Sequence, residues 1–335
     1  MKMRFLGNTG IKVSELCFGT MTFGGRGRHK IIGEVNQKEA DILVGMALDA
    51  GINFFDTADV YSEGLSEEIC GRALGIQRKN VILATKVRAR MGPGPNEVGL
   101  SRHHILEGCA ASLKRLGTDY IDLFQVHSFD PITPMEETIG ALDDLVRAGK
   151  VRYIGCSNFA GWQLMKALSV SEKHGWEKYV SLQALYSLLS RELENELVPL
   201  CLDQGIGILI YSPLGGGFLT GKFRKEQPIP KDTRLGESMD NLPFKEEKGF
   251  EIIENLDTIS KDHESTVAQA ALNYLLRKQG VTSVIIGART PEQLADNLRT
   301  TDWEMTPTEV KQLDELTQPV SIYPYSFLAQ NIHGR

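Results

Sequence analysis

The stretch Gly51–Glu67, GINFFDTADVYSEGLSE, decides the fold. Its apolar run, Ile52 to Phe55, breaks off at Asp56; Tyr61 follows in a polar segment, and after Gly64 the residues Ser66-Glu67-Glu68 open a helical pattern. That order spells a buried strand, a polar loop and a helix. A carboxylate and a phenol just beyond the C-terminal end of a buried strand sit where parallel α/β folds gather their chemistry.

The same unit recurs on both sides of this stretch. Before it, Arg4-Phe5-Leu6 and Ile11-Lys12-Val13 flank the turn Gly7 to Gly10, which predicts a small N-terminal hairpin. Strands are expected at Leu16 to Gly19, Asn53 to Asp56, Val81 to Lys86, Ile121 to His127, Val151 to Ser157, Val180 to Ala184, Ile206 to Tyr211 and Ser283 to Gly287. Between them fall segments of helical period: Gln37 to Ala50, Arg102 to Leu116, Pro134 to Ala148, Trp162 to Lys173, Glu194 to Gln204, Glu246 to Lys261, Val267 to Lys278 and Pro291 to Leu298. Gly51, Gly117 and Gly149 are the expected stops, and Thr133 with Glu136 the expected cap of the third helix. Strict alternation of strand and helix fits a (β/α)8 TIM barrel, an α/β fold occupying residues 1–335 as one domain. A doubly wound sheet lacks its G-x-G-x-x-G fingerprint in either glycine-rich segment, Gly24 to Gly27 or Gly215 to Gly221. The long loop Lys222 to Lys245, which follows the seventh strand, is a candidate lid.

Composition narrows the function. A net charge of −6 gives no electrostatic footprint for nucleic acid or an anionic membrane surface. There is no hydrophobic leader at the N-terminus and no apolar run long enough to span a bilayer, so a cytoplasmic protein is expected. The five cysteines are scattered without a C-x-x-C pair, which reads as small apolar residues in a reducing compartment. His103 and His104 are adjacent at a helix start, do not share a face, and predict no metal site. Nothing in the pattern sets an oligomeric state.

Chemistry converges at strand ends. Asp56, Lys86 and His127 end three successive strands, and Tyr61 lies just past the first of them, so a closed barrel brings the four together at its mouth. A phenol titrates near pH 10 and is a poor acid unless its anion is stabilised; an ammonium does that, and a carboxylate keeps the ammonium charged and oriented. With a histidine able to hydrogen-bond the same oxygen, the set suits proton delivery to a carbonyl.

These motifs, with FLGNTGIKVSELCFGTMTFGG, ILATKV, DLFQVH, IGCSNF, YSPLGGGFLTGK and IIGARTPEQLADNL, resemble the aldo-keto reductases over most of the chain. The resemblance extends to potassium-channel β-subunit-like and aryl-alcohol dehydrogenase-like members. It implies an NADPH-dependent enzyme that reduces aldehydes or ketones to alcohols, reversibly. Tyr61 would be the general acid, Lys86 would lower its pKa, Asp56 would support Lys86 and border the cofactor, and His127 would orient the carbonyl. It also implies a nicotinamide site: Gly19, Thr20 and Met21 beside the ribose; Ser157, Asn158 and Gln183 on the carboxamide; Tyr211 stacked on the ring. Ser212, Pro213, Leu214, Gly215, Gly217 and Lys222 would hold the pyrophosphate, and Gly287, Arg289, Gln293, Asp296 and Asn297 the adenosine. Arg289 close to a helix start would favour a 2′-phosphate.

One residue departs from the commonest pattern: Ser62, not glycine, follows Tyr61, which leaves the phenol in place and predicts an altered loop. Phe23, Tyr61, His127, Tyr323 and Tyr325 are the expected apolar substrate wall, suited to aromatic or medium-chain carbonyls. The other function open to such a chain is a nicotinamide-binding redox sensor or partner subunit with slow turnover. A dedicated regulator would be expected to carry a segment before the hairpin, whereas the sequence starts directly at it.

Overall fold

In the computed structural model, which describes residues 1–27, 30, 32–225, 227 and 246–331, eight parallel strands close into a barrel. The hairpin β1 (Met3–Phe5) and β2 (Lys12–Ser14) stands apart as a two-stranded antiparallel sheet. The barrel follows as β3 (Leu16–Gly19), β4 (Phe54–Asp56), β5 (Ile82–Val87), β6 (Ile121–Val126), β7 (Val151–Ser157), β8 (Tyr179–Leu185), β9 (Gly207–Tyr211) and β10 (Val281–Ile286), with β10 pairing back onto β3. Each expected strand lies within two residues of its observed position.

Around it run α1 (Gln37–Asp49), α2 (Leu65–Leu74), α3 (Arg102–Leu116), α4 (Met135–Arg147), α5 (Gly161–His174), α6 (Leu193–Gln204), α7 (Glu246–Asp262), α8 (Val267–Arg277) and α9 (Pro291–Leu298). Two more, α10 (Pro307–Leu316) and α11 (Tyr325–Asn331), were not expected. The first of these carries a legible start signal, since Thr306 and Glu309 form a capping box with Pro307 in the first turn. Gly117 ends α3 in the left-handed region as expected. Thr133 does not cap α4: Pro134 holds the cap position, and the Thr133 hydroxyl is drawn instead to Asp130 Oδ2 at 2.7 Å. Ser66 lies within α2, not at its start, because Gly64 makes the entry turn at φ +89°. The proposed lid, Lys222 to Lys245, falls largely outside the described residues.

Side-chain alternation splits the barrel strands into two cores. Leu16, Phe18, Phe55, Leu83, Phe124, Ile208, Ile210, Val284 and Ile286 face the helices, whereas Cys17, Phe54, Ala84, Leu123, Leu209 and Ile285 cluster inside with Leu6 and Val13 of the hairpin segment. The hairpin closes the bottom of the barrel, where a Cβ on Gly7 would lie 2.6 Å from the carbonyl oxygens of both Gly205 and Val180. Among the described residues, the opposite end, where the strands point their C-termini, holds a cavity.

All five cysteines are buried. Burial pushes the Cys70, Cys109 and Cys201 thiols up to about 12 and raises Cys17 and Cys156 as well, so thiolate is scarce at neutral pH. A thiol-disulfide reagent is therefore expected to label the native protein about 100-fold or more slower than the unfolded chain. Rapid native labelling of one thiol, read by absorbance, would contradict this burial.

Candidate active site

Counting two residues up each strand from the interior core gives the layer at the mouth. Phe54 is followed by Asp56, Ala84 by Lys86, and Leu123 by Gln125. Register then sets them side by side: Lys86 pairs with Gln125, Gln125 with Gly155, and Ser157 with Gln183. Gly155 has to be glycine for this layer to close, since a Cβ there would lie 2.5 Å from Ser181 Oγ and 3.3 Å from Gln125 Cγ.

Asp56 is the hub. Lys86 Nζ donates to its Oδ1 at 2.5 Å, and Oδ2 accepts from Gln183 Nε2 at 2.9 Å and Gln125 Nε2 at 3.1 Å. Lys86 is wholly buried and donates also to the Thr57 carbonyl at 2.9 Å and to the Tyr61 hydroxyl at 3.3 Å. Gln125 escaped the sequence reading, yet stepping back by two from His127 puts it on the same interior face.

Tyr61 sits in a short turn, Tyr61–Gly64, that Ser62 ties down. The Ser62 hydroxyl donates to the Phe23 carbonyl at 2.7 Å and accepts from the Gly25 amide at 3.0 Å. Ser62 pays for this with a left-handed backbone, φ +49°, that glycine would adopt without strain. The departure from glycine thus bonds the tyrosine turn to the loop after β3. Across the mouth, the Tyr61 and His127 rings meet edge to face with centroids 5.9 Å apart.

Burial raises the Tyr61 phenol above its ordinary value, with the Lys86 ammonium pulling it back and Asp56 adding to the rise. The expected lowering by Lys86 is real as a contribution but burial outweighs it, so Tyr61 holds its proton across the neutral range. For Lys86, burial alone would drive the ammonium down; Asp56, Tyr61 and the hydrogen bonds to both reverse this and leave it above its ordinary value.

From this cluster a cavity of about 620 Å³ runs along the mouth. Its wall includes Gly19, Met21, Asp56, Tyr61, His127, Ser157, Asn158, Gln183, Tyr211, Ser212, Pro213, Leu214, Gly217, Lys222, Gly287, Arg289, Gln293, Asp296 and Asn297. Two of the expected cofactor residues do not line it. Thr20 is fully buried with its hydroxyl 2.9 Å from Ser66 Oγ, and Gly215 turns away against Leu189, leaving Gly216 on the wall. Thr22, Ile32, Val60, Thr220, Ala268 and Ala288 join the wall although nothing in their spacing marked them.

Local bonding shapes the cavity. Asn158, at φ +55°, donates through Nδ2 to the His127 carbonyl at 3.0 Å and accepts from the Tyr211 hydroxyl at 2.8 Å, so three strand ends share one side chain. Ser212, Gly216 and Gly217 all have positive φ, which curls the backbone after β9 around the cavity rim. At the far end Thr290 caps α9 and Gln293 Oε1 accepts from the Arg289 amide at 2.9 Å. The expected aromatic wall is corrected: Phe23 is fully buried and tilted against Phe18, Tyr323 is 81% exposed, and neither Tyr323 nor Tyr325 lines the cavity. Met21, Ile32, Val60 and Leu214 supply apolar surface to the cavity instead.

His104 is buried with Nε2 3.3 Å from the Ala89 carbonyl, engaged in the fold. Among the described residues no helix is long and apolar enough to cross a membrane.

Comparison with known proteins agrees with this geometry. The model of the Aldo/keto reductase family matches residues 15–318. The chain is 34% identical to versiconal hemiacetal acetate reductase of Aspergillus parasiticus over 97% of its length and 99% of that protein's. It is 38% identical to an uncharacterized oxidoreductase of Bacillus subtilis, covering 94% of this chain and 96% of the other. A probable voltage-gated potassium channel subunit beta of Arabidopsis thaliana is 35% identical, with 98% and 100% covered. With the mouth of its barrel built as described and these relatives matching nearly end to end, the chain belongs to the aldo/keto reductase family.

Proposed function

We propose that this protein is a cytoplasmic NADPH-dependent oxidoreductase that reduces aldehydes or ketones to alcohols and runs the reverse reaction. The observation that carries the reading is the Tyr61 hydroxyl, 3.3 Å from a buried Lys86 ammonium on the wall of a cavity that continues to Arg289.

The donor set fits a nicotinamide dinucleotide. Gln183 spends its NH₂ on Asp56 and Gln125, which leaves its amide oxygen to accept from a carboxamide, and Ser157 and Asn158 stand beside it on the wall. Tyr211 offers a ring face, the curled backbone Ser212 to Gly217 offers amides for a pyrophosphate, and Lys222 offers charge. When bound, the cofactor supplies a hydride, which no side chain can. The remaining work belongs to the protein. His127 and Tyr61 bind the carbonyl oxygen, Tyr61 releases its proton to that oxygen, and Lys86 stabilises the phenolate so formed. Asp56, held by two glutamines, keeps Lys86 aimed.

Turnover is tested by following the near-ultraviolet absorbance of NADPH against a panel of aldehydes and ketones. Consumption with any of them supports the reading. Tight NADPH binding without consumption would turn it to a second one, a cofactor-reporting partner subunit, which the similarity to the Arabidopsis protein favours. Arg289 and the helix start behind it fit a 2′-phosphate, so Arg289→Ala is expected to weaken NADPH binding about 10- to 100-fold and to leave NADH binding within about twofold. Equal losses for the two cofactors would remove Arg289 from that role.

A further inference from the structure

Asp59 lies between Asp56 and Tyr61, wholly buried, and among the described residues neither of its carboxyl oxygens has a hydrogen-bond partner. The Val60 amide approaches the carboxyl and lowers its pKa slightly, without the geometry of a full hydrogen bond. Its own amide donates to the Lys86 carbonyl at 3.2 Å, which fixes its backbone to the strand that carries the lysine.

The surrounding charges are already matched. Lys86 on β5 is paired with Asp56, and Arg115 on α3 is paired with Glu67 on α2 at 2.6 Å, with Thr85 Oγ1 donating to the other oxygen of Glu67. Two cations thus meet two anions, and Asp59 is the carboxyl left over. An unpaired carboxylate in a buried, already neutral cluster has nothing to offset the loss of its hydration. We propose that Asp59 is carried as the neutral carboxylic acid and serves as a positioning residue for the proton step: uncharged, it leaves the Lys86 field on Tyr61 undiminished, and its ionisation makes Tyr61 a weaker acid.

This deepens the reductase reading and rests on Tyr61 as the acid. Burial, then the Glu67 charge, push Asp59 up to about 8 against the pull of Arg115 and Lys86, and its charge in turn raises Tyr61. The folded value lies above the unfolded one, so the stability Asp59 contributes is complete below about pH 4 and is lost as pH rises through about 8.

Infrared difference spectroscopy of wild type minus Asp59→Asn reads the protonation state without turnover. A carboxylic-acid carbonyl band belonging to Asp59 is expected at about pH 6 and should vanish with a midpoint near 8. The same pair is compared in the pH dependence of kcat for carbonyl reduction. Wild type is expected to fall on the alkaline side as Asp59 ionises, and Asp59→Asn, which cannot ionise, to keep its rate about threefold or more further up that limb. Thermal melting gives a third readout: Asp59→Asn is expected to melt above wild type at about pH 9 and level with it near about pH 4. Absence of the carbonyl band overturns the proposal, as do superimposable pH profiles. No reduction of any carbonyl by wild type would overturn the coupling together with the reductase reading, while the infrared titration decides the state of Asp59 regardless.

Discussion

Tyr61→Phe is expected to lower carbonyl reduction by about 10²- to 10⁴-fold while nicotinamide binding stays within about twofold. Phenylalanine keeps the ring that meets His127 edge to face and lies under the Lys86 ammonium at 5.0 Å from its centroid. What is lost is one hydroxyl, the atom 3.3 Å from Lys86 Nζ. Because burial holds the Tyr61 phenol above its ordinary value, the wild-type group stays a proton donor throughout the neutral range. Reduction rates below about pH 8 should therefore not titrate with Tyr61. A Phe variant that still reduces carbonyls within about tenfold of wild type would place the acid elsewhere. Loss of cofactor binding in the same variant would point to a collapsed mouth, and fluorescence quenching by NADPH separates the two.

Most of the barrel could be read from periodicity because each strand is short, apolar and bounded by polar or glycine residues. The proposed catalytic quartet was legible for the same reason: Asp56, Lys86 and His127 interrupt apolar runs at their C-terminal ends, Tyr61 follows the first of them, and closure makes neighbours of the three strand ends. Gln125 was not, because a polar residue inside an apolar run looks like tolerated noise until the period of two is counted from His127. Phe23 misled, since an aromatic near a strand end looks like a pocket wall, and only packing against Phe18 reveals it as core. Asp59 was passed over because sequence shows carboxyls but not which of them have partners. Pairing of Arg115 with Glu67 joins α3 to α2 across a sequence gap that no spacing rule predicts.

Removing Lys86 should have the largest effect on stability. Lys86→Met strips the Asp56 carboxylate, itself only 3% exposed, of its ammonium and leaves it facing two glutamine amides. Breaking a buried pair from one side costs about 3–5 kcal/mol, because the remaining charge is desolvated without compensation. Adding Asp56→Asn removes that charge while keeping an oxygen for Gln125 and Gln183, so the double variant is expected to recover about half or more of the loss. Turnover should not follow. Both variants lack the cation proposed to stabilise the phenolate and are expected to stay about 10²-fold or more below wild type. The pH dependence has a definite sign. In Lys86→Met the stranded carboxylate prefers its proton in the folded state, so the deficit is smallest below the ordinary carboxylate range and grows as pH rises above it. Urea unfolding of the four proteins of the cycle at about pH 5 and pH 8 measures each of these differences. A double variant as unstable as Lys86→Met alone would mean that lost packing of the lysine stem, and not the unpaired charge of Asp56, sets the cost.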